Sequence, residues 1–174
     1  MTGREPVETA NLDRYDHEAL PWSRARERLE IDLAKMSTPS FLATVRPDGR
    51  PHSAGIGAMW VADALYFTSG PETRKSRNLA ANPACTVSVR LEGIDLVLEG
   101  TASRVTDAAT LDRIAGVYSD TGWPAERSGE SLTAPYSAPS AGPPPWHLYR
   151  LTLGTAVGVA WVEPYGATRW RFAP

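Results

Sequence analysis

Cysteine is nearly missing from this sequence. Cys85 is its one thiol, so neither an intrachain disulfide framework nor a cysteine-rich zinc site can be built. Histidine is scarce too: His17, His52 and His147 stand far apart, without the HExxH or paired spacing of a metal site. Each therefore reads as a satisfied or surface histidine. An excess of basic charge is also absent, since 18 Lys and Arg face 20 Asp and Glu for a net charge of −2. General nucleic-acid binding leaves a strongly basic footprint, so no nucleic-acid partner is expected. No apolar run approaches the ~18 residues of a membrane span. The N-terminal stretch carries acidic residues and lacks the apolar core of a signal peptide. These two absences predict a cytoplasmic protein with no membrane partner. Nor is there a GxSxG, a Walker A loop or a GxGxxG after a strand, so acid–base hydrolysis has no visible machinery.

What is present is ordinary globular material, 42% hydrophobic and 22% charged, and long enough for one domain over 1–174 with a real core. Residues 1–15 read as a loose N-terminal arm. A helix is predicted over 18–36, with Pro21 in its first turn and Trp22, Ala25, Leu29, Leu33 and Met36 on one stripe. Arg24, Arg26, Glu27, Arg28 and Glu30 form its solvated face. From Ser40 the pattern shifts to short β-rich runs: "SFLATVR", "PHSAGIGAMWV", "ALYFTS", "ACTVSVRL" and "IDLVLEGTASRV". "PDGR" at 47–50 is a turn signal, because Pro47 presets φ, Asp48 caps locally and Gly49 accepts positive φ. Tight connections between such runs predict an antiparallel meander. Cys85, inside the alternating "ACTVSV", reads as a buried structural thiol. Further helices are predicted at 73–81 and 107–119, the latter capped by Thr106 or Asp107. The Gly/Pro/Ser-rich segment 120–145 is either functional, covered by a partner, or a mobile excursion. "WHLYRLTL", "TAVGVAWV" and "ATRWRF" supply the closing strands. The whole reads as mainly β with helices (α+β), a six- to eight-stranded antiparallel β-barrel.

One stretch concentrates charge. "TSGPETRKSRNLAANP", residues 68–83, turns through Gly70 and Pro71 and starts a helix capped by Thr73. A helix start is the positive end of the dipole and favours acids, yet Arg74, Lys75 and Arg77 fall there. A phosphate or carboxylate would resolve the conflict by drawing on backbone amides, hydroxyls and cations together. The alternative is a surface helix whose arginines pair with Glu72 or with acids elsewhere. Upstream, Ser53, Ala54, Gly55, Ile56, Gly57 and Ala58 make a small-residue strand along which something flat can approach the backbone closely. A cofactor that brings its own chemistry needs little more than such a slot.

The run from Phe41 to Val89, with "T-x-K-x-x-N-L-x-x-N-P" at Thr73, Lys75, Asn78, Leu79, Asn82 and Pro83, resembles the pyridoxamine 5′-phosphate oxidase-like split-barrel flavoproteins. Within them it is most similar to the flavin/deazaflavin oxidoreductases, and the closing "GATRWRF" adds to the likeness. The resemblance implies a homodimer with two cofactor sites at its interface, holding coenzyme F420 or FMN. Three adjacent cations favour the longer anionic tail of coenzyme F420. By the same resemblance Lys75 and Asn78 match the phosphate motif, with Ser69, Thr73, Arg74 and Arg77 as neighbours. Ala54 to Ala58 match the wall beside the ring, and Trp60 matches an aromatic position of that strand. The implied activity is hydride transfer between the cofactor and a small organic acceptor, with Trp123, Tyr136 and Trp146 shaping the acceptor side. The competing reading is a non-catalytic protein that binds or sequesters the cofactor or haem on the same barrel. Two departures stand out: many relatives read Thr-Pro where this chain has Ala54 and Gly55, and the Arg/His-rich C-terminal pattern that grips a vitamin B6 phosphate is missing.

Overall fold

Each strand-like run after Ser40 does form a strand, but tertiary pairing moves several of the boundaries. The computed structural model describes residues 4–173. Strand β1 (Glu8–Asn11) precedes helix α1 (Trp22–Asp32), and β2 (Ser40–Val45), β3 (Pro51–Ile56), β4 (Ala58–Val61) and β5 (Ala64–Ser69) follow. Helix α2 (Arg74–Ala81) leads to β6 (Ala84–Leu91), β7 (Ile94–Val105) and α3 (Ala108–Asp120). A small hairpin, β8 (Glu126–Ser128) and β9 (Ser131–Thr133), precedes a 3₁₀ turn at Pro139–Ala141. Strands β10 (His147–Ala160) and β11 (Gly166–Arg171) end the chain.

Nine strands share one antiparallel sheet in the order β1-β11-β10-β7-β6-β2-β3, with β5 pairing both β10 and β4. Strand β10 organises it. Along one side it pairs β7 over its full length, with a register shift between Leu153 and Thr155. Its other side is divided: His147–Leu151 pairs β5, whereas Thr155–Ala160 pairs β11. The sheet separates at that point, which makes the barrel a split one. Gly57 joins β3, the end of one path, to β4, the end of the other.

Two cores result, and β5 lies between them. Leu65 and Phe67 join the larger core with Leu29, Leu42, Val87, Leu98 and Trp170. Ala64 and Tyr66, on the opposite face of the same strand, join Leu111, Ile114, Tyr118, Trp123 and Trp146. A strand alternates its side chains, so a run buried at every position needs a cover on each face. The second cover here is α3 with the β8–β9 segment.

The described residues correct several expectations. The N-terminal arm is not loose throughout, because β1 pairs β11 from Glu8↔Arg171 to Asn11↔Thr168. Helix α1 is shorter than 18–36: Pro21 is its extended N-cap, and it ends at Asp32. Trp22, Ala25, Leu29 and Leu33 are buried as the stripe requires, but Met36 lies beyond the helix and is 40% exposed. The "solvated face" is partly engaged, since Arg28 Nε donates to the Asp32 carboxylate at 3.2 Å and Arg24 donates to the carbonyls of Val162 and Pro164. Asp32 is buried, which raises its pKa, yet the bonds from Arg28 and the Glu92 N–H prevail and hold it below the ordinary carboxylate value. "PHSAGIGAMWV" is two strands rather than one. "WHLYRLTL" and "TAVGVAWV" are a single strand, because β7 is long enough to pair both. Segment 120–145 is partly ordered by β8, β9 and the 3₁₀ turn. The strand count exceeds the six to eight expected.

Other features follow the sequence closely. Gly49 has φ +82° in the "PDGR" turn, and the Asp48 carboxylate accepts from Arg50 N at 3.1 Å. Asp107 caps α3 by accepting from Thr110 N at 2.8 Å. Cys85 is buried, and that burial pushes its thiol up to about 11, well away from nucleophilic use at neutral pH. Among the described residues, no helix is long and apolar enough to cross a membrane.

Candidate functional site

Strand β5 delivers Ser69 to the start of α2, and the intervening turn is held by hydroxyls. Thr73, the N-cap, accepts from Ser76 N at 3.3 Å and donates from Oγ1 to the Gly70 carbonyl at 2.8 Å. Ser76 Oγ donates to Ser69 Oγ at 2.8 Å, and Ser69 Oγ lies 2.7 Å from Thr73 Oγ1. The three cations then part company. Arg74 and Arg77 are exposed, whereas Lys75 is only 9% exposed. Burial pushes the Lys75 ammonium below the ordinary lysine pKa, and among the described residues no acidic side chain pairs with it. A buried cation at the positive end of a helix is electrostatically uncompensated.

Lys75 and Arg74 face a cleft of about 1020 Å³. Its lining includes Ala54, Gly55, Ile56 and Gly57 of the strand region and Ser69, Glu72, Thr73, Arg74 and Lys75 of the turn into α2. Met36 to Phe41 form one rim, and the 137–146 segment forms the other. A Cβ built on Gly55 would meet nothing within 4 Å. No part of this chain requires glycine there, and the strand surface is open. At Gly57 a Cβ would stand 3.2 Å from Met36 Cε, and the Gly57 carbonyl accepts from Tyr118 Oη at 3.0 Å. That bond from α3 anchors the strand break on the cleft floor.

Eight of the residues singled out in the sequence thus line one cleft. Four do not. Ser53 is exposed and outside the cleft lining, Ala58 is buried in the larger core, and Arg77 is exposed away from the wall. Asn78 turns into the barrel, where its Nδ2 donates to Thr44 Oγ1 at 2.9 Å. Both groups are buried, so Asn78 ties α2 to β2. Of the aromatics expected on the acceptor side, Trp123 and Trp146 are buried in the second core, and Tyr136 is exposed. The Trp60 indole nitrogen is buried without a partner.

His52 was not among the expected site residues, and the cleft includes it. Its Nδ1 is buried and has no hydrogen-bond partner. Burial lowers its pKa, and the charges of Arg46, Arg74 and Lys75 lower it further. It is neither a satisfied nor a simple surface histidine. The available signal was strand alternation, which places His52 on the same face as Ala54 and Ile56.

Gly70 couples the rim to the helix start. A Cβ there would overlap the Ala141 carbonyl oxygen, far inside van der Waals contact, so Gly70→Ala is expected to lift 137–146 off the turn at a cost of about 1–3 kcal/mol. Thermal unfolding checks this, and an unchanged Tm would show that the rim yields freely.

A family model described as Pyridoxamine 5′-phosphate oxidase matches residues 25–140. Among solved structures, an F420 reductase is 24% identical with a TM-score of 0.51, over 72% of this chain and 93% of that one. General Stress Protein 26 from Bacillus anthracis is 17% identical with a TM-score of 0.53, over 78% and 93%. A heme binding protein from Mycobacterium smegmatis is 16% identical with a TM-score of 0.55, over 82% and 56%. At these identities the likeness is one of fold. No curated protein matches the chain.

Proposed function

The chain belongs to the pyridoxamine 5′-phosphate oxidase family, and from that premise we propose that it is a flavin- or deazaflavin-dependent oxidoreductase acting on a small organic molecule. The observation that carries this reading is the buried, unpaired Lys75 beside a hydroxyl cluster, facing an open strand backbone. An anionic tail at Lys75 would neutralise the stranded ammonium at the positive end of α2. Arg74, at the exposed end, would meet any further negative charge. His52 would stand between tail and ring and could donate once its Nδ1 carries a proton. The backbone from Ala54 to Gly57 would lie along the flat ring, with Gly55 leaving it room.

When bound, the ring supplies the hydride chemistry. The protein binds, orients and dries the site: Lys75 holds the tail, β3 sets the ring plane, and the 137–146 rim limits water on one side. Coenzyme F420 is preferred to FMN, because the cleft lining carries both Arg74 and Lys75, which suit an anionic tail longer than a single phosphate. Two copies are proposed to complete the site, since Met36 and Phe41 on the open rim are 40% and 53% exposed.

Titration of apo protein with coenzyme F420 and FMN in separate experiments, followed by fluorescence, tests the reading. Micromolar binding of at least one is expected, and binding of neither overturns it. Steady oxidation of the reduced cofactor in the presence of an acceptor would distinguish an enzyme from a protein that only stores its ligand.

A further inference from the structure

A second cavity, of about 300 Å³, opens off the first. The two share Met36, Gly57, Thr68, Ser137 and Ala138 on their walls. The smaller one ends against Tyr118, Trp123 and Tyr136, brought there by α3 and the segment that follows it. Its volume is at the low end of small-molecule sites, about 300–1,000 Å³.

Its chemistry differs from that of the main cleft. None of the lining residues carries a charge. The polar atoms of its aromatic and loop residues are already committed within the chain. Tyr118 Oη donates to the Gly57 carbonyl at 3.0 Å, and Tyr136 Oη donates to the Gly122 carbonyl at 3.0 Å. Trp123 Nε1 donates to the Tyr136 carbonyl at 2.6 Å, and Thr121 Oγ1 donates to the Tyr118 carbonyl at 2.8 Å. The rings therefore offer apolar surface, with Tyr118 and Trp123 set edge to face at a centroid distance of 5.0 Å. Thr68 hydrogen-bonds the Tyr118 side chain, which leaves Ser137 as the one lining hydroxyl outside these bonds. An anion placed there would lose its hydration and find no cation, a cost that excludes it.

We infer that this side cavity is the acceptor subsite, and that it takes a neutral, flat, one- or two-ring molecule. The inference rests on the cofactor reading of the main cleft, which supplies the neighbouring ring. Division of labour follows from the charge map: the basic cleft holds the anionic cofactor, and the uncharged recess selects the uncharged partner. A phosphorylated or carboxylated substrate is not admitted.

The test is equilibrium dialysis of the full chain, with and without saturating FMN or coenzyme F420, against two probes of one shape. One is 2-methyl-1,4-naphthoquinone, which is neutral, and the other is 1,4-naphthoquinone-2-sulfonate, which is anionic. Wild type is expected to retain the neutral probe at least about tenfold more tightly than the anionic one. Tyr136→Ala removes one wall, and Ala138→Trp fills the shared mouth. Both positions are exposed, so folding should tolerate the changes. Each is expected to weaken the neutral probe by about tenfold or more, and Tyr136→Ala, outside the main cleft lining, should change cofactor affinity by less than about twofold. Equal retention of the two probes, or variants that bind the neutral probe as wild type does, would overturn the subsite. Wild type that binds neither cofactor, yet holds the neutral probe in a Tyr136-dependent way, would instead overturn the cofactor reading and leave the recess as a binding site.

Discussion

Lys75→Met is expected to weaken cofactor binding by between about tenfold and one hundredfold while raising the thermal stability of the apo protein. Both halves follow from one fact, a cation that is 9% exposed and lacks an acidic partner. In the apo protein the folded state pays for that burial. Methionine fills similar space without charge, so removal should stabilise by about 1 kcal/mol. In the complex the same ammonium makes a charge-assisted bond worth about 1.5–3 kcal/mol, and its loss sets the drop in affinity. A merely structural lysine would not produce opposite signs in the two measurements. Matched affinities of Lys75→Met and wild type would remove Lys75 from the site.

The pH dependence has a definite sign. The folded-state pKa of Lys75 is lowered by burial, so between that value and the ordinary value of about 10.4 the unfolded chain holds the proton more firmly. Apo stability therefore gains from Lys75 as pH rises through this window. Cofactor affinity should move the other way. It falls as Lys75 deprotonates, at a pH lower than for an ordinary lysine, and Lys75→Met should flatten that limb of the profile.

Trp170→Ala should cost about 3–5 kcal/mol and lower Tm by about 10 °C, with cofactor affinity at low temperature unchanged. Trp170 is fully buried, donates from Nε1 to the Leu20 carbonyl at 3.2 Å and meets Trp22 edge-on at 5.4 Å. It fits only because Gly158 has no side chain, since a Cβ there would lie 2.7 Å from Trp170 Cη2. The residue fastens α1 to β10 and β11, far from the cleft wall. Chemical denaturation measures the first effect and cofactor titration of the folded variant the second. An affinity loss matching the stability loss would mean that the barrel and the cleft are coupled more tightly than their separate packing indicates.

Much of this was legible because it is local. Turn chemistry at "PDGR", the Thr73 and Asp107 caps and the alternating strands depend on residues a few positions apart, and all appear where the pattern places them. The cationic helix start was equally visible. What local pattern could not give was the sorting of its charges. Arg74, Lys75 and Arg77 look alike in a row, and only the packing of the folded chain, in which α2 lies against β2, leaves Lys75 buried and the arginines exposed. Asn78 shares a helix face with them yet bonds Thr44, a partner 34 residues away. His52 gained its place when β3 turned its inward face to the same cleft, and Met36 when α1 stopped short.

By itself, then, the sequence determined the antiparallel β class, the positions of α2 and α3 and the presence of a cation-rich helix start, since hydrophobic period and capping act within a few residues. Tertiary structure alone decided the split of β10 between two partners, the second core beneath α3 and the uncharged recess beside the basic cleft. Those features arise where distant segments compete for the same strand edges and the same buried volume, and no short window of residues contains that competition.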